Sequence, residues 1–91
     1  SHVGKLYNVA ARAVAEAVVA EVAEIARAEC WLASRIGRPV TEPHRTIVRV
    51  GLRRGQPTAG MKTEVAAVVR RELGRLHETW RALLARRIPL Y

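Results

Sequence analysis

Apolar residues along the first third of the chain recur at intervals of three and four. Leu6, Val9, Ala13, Val14, Ala17, Val18, Val22 and Ile25 follow the spacing that gathers side chains on one side of a helix, while Arg12, Glu16, Glu24 and Arg27 fall elsewhere on the wheel. The spacing predicts an amphipathic helix from Leu6 to Ile25, whose many alanines would let a sheet approach closely. The period then drops to two. Ala28, Cys30, Leu32, Ser34 and Ile36 alternate with Glu29, Trp31, Ala33 and Arg35, which predicts a strand from Arg27 to Ile36. Gly37, Pro39 and Pro43 end it, since each proline removes a ladder donor. A second alternating run sets Thr46, Val48, Val50 and Leu52 against Ile47, Arg49 and Gly51. The short connection between the runs favours an antiparallel hairpin.

Arg53 to Gly60, with two glycines, Pro57 and Thr58, reads as a loop. From Met61 onward Val65, Val68, Val69, Leu73, Leu76, Trp80, Leu83 and Leu84 form a seam at helical spacing, with Thr63 or Thr58 available as an N-cap. Gly74 interrupts this helix at a cost of about 1 kcal/mol relative to alanine. It either allows a close approach or is simply tolerated. The tail Ile88 to Tyr91 could add an edge strand. The expected fold is α+β, a two-layer α/β sandwich in the order helix, strand, strand, helix. Two strands make a marginal sheet for two apolar helix faces, so at least one strand is expected to be missing and residues 1–91 to form a single partial domain.

A chain of 91 residues buries only about 60 to 65% of its unfolded surface, which bounds it to one small core. That core should be shallow, because there is no Phe and the aromatics are Tyr7, Trp31, Trp80 and Tyr91. Sixteen Lys and Arg against eight Asp and Glu give a net charge of +8 and a pI near 11.3. Such a balance is the charge signature of a nucleic-acid binder, but the charge patterning favours the solvated faces of two helices and a hairpin. Cys30 is the single cysteine, so no intrachain disulfide or Cys cluster is possible, and it reads as a buried apolar residue in a reducing compartment. Charges interrupt every apolar run and no secretory pattern is present, so a cytoplasmic, non-membrane chain is expected.

Little of the remaining chemistry converges. His44 and His77 lack companions at metal-ligand spacing, Glu42 has no second carboxylate with which to share acid and base roles, and Trp80 sits in a core seam. The opening residues Ser1, His2, Val3, Gly4 and Lys5 are different. They read as a small-residue loop carrying a Lys and a His into a helix N-terminus, where backbone N–H groups and the macrodipole favour an anion such as phosphate. The same residues are also compatible with a cloning scar and a flexible glycine.

Two strings carry a family resemblance. Ser1-His2-Val3-Gly4-Lys5-Leu6-Tyr7-Asn8-Val9 resembles the Ser-His-Val-Gly-Lys-Ile-Tyr-Asn-Val segment of archaeal-type S-adenosylmethionine synthetases, the methionine adenosyltransferases, with Ile changed to Leu. Leu32-Ala33-Ser34-Arg35-Ile36-Gly37-Arg38-Pro39-Val40-Thr41-Glu42-Pro43 is similar to that family's Leu-Leu-Ser-Gln-Ile-Gly-Lys-Pro-Ile-Asp-Glu-Pro, at a similar distance from the first string. The first string is highly specific and the second moderately so; the closing helix and apolar tail match in type. Arg35 stands where the family has an amide, Trp31 is bulky for its strand position, and Thr41 replaces an acid, so no family role is carried to Arg35.

The resemblance implies an enzyme that joins ATP and L-methionine into S-adenosylmethionine and cleaves the triphosphate to pyrophosphate and phosphate. It implies assistance by Mg²⁺ and K⁺, and active sites between the subunits of a homodimer. Because family members are several times longer, it also implies that this chain is a C-terminal portion, inactive alone and holding no catalytic residue or metal ligand. Ser1, His2 and Lys5 would lie near the ATP phosphates. The alternatives are a small basic nucleic-acid-binding module and a stand-alone scaffold that dimerises through a sheet edge. Against the former, Trp31 is the only aromatic on either strand.

Overall fold

A computed structural model describes residues 2–33 and 45–87. Helix α1 spans His2–Glu21, strand β1 Ile25–Ala33, strand β2 Arg45–Leu52 and helix α2 Ala59–Arg87. The strands pair antiparallel, with Cys30 opposite Val48 and Trp31 opposite Ile47; an irregularity between Ile25 and Arg27 shifts the register at one end. α1 lies along β1, and α2 packs on α1. This is the expected α+β sandwich, helix, strand, strand, helix, and among the described residues the sheet has two strands.

Burial follows the alternation in both strands. Ala28, Cys30, Leu32, Thr46, Val48 and Val50 are half-buried beneath the helices, and Glu29, Trp31, Ala33, Arg45, Ile47 and Arg49 face outward. The centre of the core is Val14, Val18, Val22 and Ile25, all at most 1% exposed, with Met61 and Val68 of α2 closing over them.

α1 departs from the expected boundaries at both ends. It is already helical at His2, so His2 to Lys5 form its first turn and not a loop. A glycine costs only about 1 kcal/mol in a helix, too little for Gly4 to keep the helix from starting. At the other end α1 stops at Glu21, four residues short of Ile25. Val22 N–H still donates to Val18 C=O at 3.0 Å, and Ile25 N–H then donates to Val22 C=O at 3.0 Å, which folds the chain back into β1. Val22 and Ile25 keep a helical spacing in sequence yet leave the helix, because the turn delivers both to the same side of the sheet. Val9, expected on the apolar face, is 66% exposed, whereas Tyr7 is buried. At 100° per residue Val9 points about 160° from the mean of Tyr7, Ala10, Val14, Val18 and Val22.

Thr58 is the N-cap of α2. Its Oγ1 accepts from Met61 N–H at 3.1 Å and its C=O from Lys62 N–H at 3.1 Å, while the Thr63 hydroxyl donates back to Ala59 C=O. The far end of the hairpin is tied to the α1–β1 turn by Arg53, whose N–H donates to Glu24 C=O at 2.9 Å and whose Nε donates to Ala23 C=O at 3.0 Å. The extension of β1 to Ile36, the Gly37 to Pro43 stop and the Ile88 to Tyr91 edge strand lie outside the described residues, as does the Trp80 side chain.

One ion network joins the helices. Arg71 grips Glu21 with both terminal nitrogens, Nη1 donating to Oε1 at 2.6 Å and Nη2 to Oε2. Its Nε donates to Glu72 Oε2 at 3.1 Å, which Arg75 Nη1 also meets at 3.1 Å. Glu72, set within the apolar seam, is buried at 8% exposure and is matched by these two cations. The Arg71 hydrogen bonds hold the Glu21 carboxyl below its ordinary 4.5 despite some desolvation, and those to Glu21 and Glu72 raise the Arg71 pKa.

Two consequences can be measured. A Cβ at Gly74 would meet nothing within 4 Å, so Gly74→Ala should stabilise by about 0.5–1 kcal/mol, a rise of roughly 2–8 °C in Tm. A Cβ at Gly51 would lie 2.5 Å from Arg27 Nε and 2.7 Å from its Cγ, so Gly51→Ala should give no such gain. The depressed Glu21 pKa contributes stability that is present above 4.5 and is lost as the pH falls through the lower, folded-state value. Glu21→Gln should therefore lower Tm at neutral pH and flatten its decline between about pH 5 and 3. Parallel declines in the two proteins would show that Glu21 carries no such linkage.

Candidate functional site

Of the expected phosphate-facing residues, His2 and Lys5 fall in the first turn of α1. Ser1 lies outside the described residues; His2 is the first helical residue, its side chain also outside the description, and Lys5 follows within one turn. The described first turn of α1 carries no acidic side chain. Lys5 is exposed and makes no ion pair with any described residue, so this turn presents a positive charge to solvent.

The helical start changes which residues accompany Lys5. On a helix, Asn8, Val9 and Arg12 follow Lys5 down one side, opposite the core, and Glu16 continues the row. Asn8, Val9, Arg12, Ala13 and Glu16 line a shallow hollow of about 340 Å³. Sequence reasoning missed this association because Ser1 to Lys5 read as a loop and Val9 was assigned to the core. The signal was the spacing of three and four from Lys5 to Asn8, Val9 and Arg12.

Other candidates separate. Cys30 is half-buried on the inner sheet face, and desolvation pushes its thiol above the ordinary range, which disfavours the thiolate a nucleophile needs. His77 is exposed on α2, while Arg35, Thr41, Glu42 and His44 lie outside the described residues. Among the described residues, no three His, Cys, Asp or Glu side chains come together as a metal ion would require. None of the described helices is long and apolar enough to cross a membrane.

The bulk of Trp31 is explained by the outer sheet face. Trp31 and Ile47 stand opposite each other, each 44% exposed, and the Arg49 guanidinium lies 5.4 Å from the Trp31 ring centroid. Arg49 also faces Glu29 across the ladder. The one strand aromatic is thus engaged by a cation of its own chain.

Comparison with known proteins gives a consistent result. The family model for S-adenosylmethionine synthetase (AdoMet synthetase) matches residues 1–87. A probable S-adenosylmethionine synthase of Aquifex aeolicus is 38% identical over 86 residues, covering 94% of this chain and 21% of the relative. The S-adenosylmethionine synthase of Pyrobaculum aerophilum is 34% identical over 91 residues, covering all of this chain and 22% of the relative. That of Halobacterium salinarum is 37% identical over 84 residues, with 92% and 21% covered. The chain therefore spans about a fifth of the length of the curated relatives it matches. No solved structure gives a significant match.

Proposed function

Because the chain belongs to the S-adenosylmethionine synthetase family, we propose that it serves as one part of an enzyme joining ATP and L-methionine, with the start of α1 turned to the triphosphate. The observation that carries this reading is the position of the most specific family string. His2 to Val9 form the opening turns of α1 as described, without an acidic side chain and with Lys5 exposed.

Formation of S-adenosylmethionine moves negative charge onto the departing triphosphate. A cation and polar contacts fixed before the reaction stabilise that charge more than they stabilise bound ATP, and so lower the barrier. Lys5 supplies the cation, and His2 and Ser1 supply further polar contacts. Lys5 is held in place because Tyr7, Ala10 and Val14 anchor the opposite side of the helix in the core.

In this reading residues 1–91 form one partial domain of a larger cytoplasmic polypeptide that acts as a homo-oligomer. The described residues do not fit a Mg²⁺ site, for they gather no set of three ligands, and no step here runs through a metal. Mg²⁺ and K⁺, if the whole enzyme uses them, would be held by other residues. The isolated chain, lacking the groups that position methionine, should not turn over.

The test is a chimera in which this chain replaces the matching fifth of the Aquifex aeolicus relative. The chimera should make S-adenosylmethionine, and Lys5→Ala should lower kcat/KM for ATP by about 10- to 100-fold while leaving KM for methionine within about twofold. Unchanged ATP kinetics in that variant would remove Lys5 from the phosphate site. Turnover of ATP and methionine by the 91 residues alone would overturn the view that they are one part of the enzyme.

A further inference from the structure

We draw no further inference here: the strongest candidate, the outer face of the sheet on which Trp31 and Ile47 stand opposite each other at 44% exposure beside Arg49, carries nothing because nothing in the structure shows what covers it.

Discussion

Water is excluded most completely where α1 turns into β1. Val14, Val18, Val22 and Ile25 bring the end of a helix and the start of a strand onto one dry cluster, and each removes roughly 1.5–3 kcal/mol worth of apolar surface from solvent. The rest of the molecule refers to that point. Arg53 returns the end of the hairpin to the carbonyls of Ala23 and Glu24, Met61 and Val68 cap the cluster from α2, and Arg71 ties α2 to Glu21 just before the turn. If that cluster were opened, the two helices would lose the surface that orients them.

The same arrangement sets up the candidate site. With Tyr7, Ala10 and Val14 bound into the core, the opposite side of α1 presents Lys5, Asn8 and Arg12 to solvent in a fixed row. A side chain near a helix start keeps its direction only if the helix cannot rotate, and burial of one side prevents rotation. The direction in which Lys5, Asn8 and Arg12 point therefore depends on the apolar residues buried on the other side of α1.

Among the described residues the sheet has two strands, and this limits what it can cover. Two strands offer too little inner surface for two helices, so α2 takes α1 as its main partner and leaves the flank of β2 open. On the outer face Trp31 and Ile47 remain 44% exposed, with Arg49 over the ring.

Periodicity made the strands legible almost residue by residue, because a change of one position moves a side chain to the other face and Cys30, Val48 and Val50 tolerate only the inner one. The order of elements, the antiparallel hairpin and the family itself were equally readable, the last from the Ser1 to Val9 and Leu32 to Pro43 strings, whereas the cap of α2 was open between Thr63 and Thr58 until the structure placed Thr58 there. Less legible were the ends of α1, since Val22 and Ile25 keep a helical spacing while lying in a turn and a strand, and Gly4 reads as a break where the helix continues. Only the tertiary structure decided three matters: that Val9 faces solvent, that Arg71 bridges Glu21 and the buried Glu72, and that α2 leaves the flank of β2 open. Each depends on which helix lies against which neighbour, and local spacing records a residue's direction within its own element without recording what stands opposite.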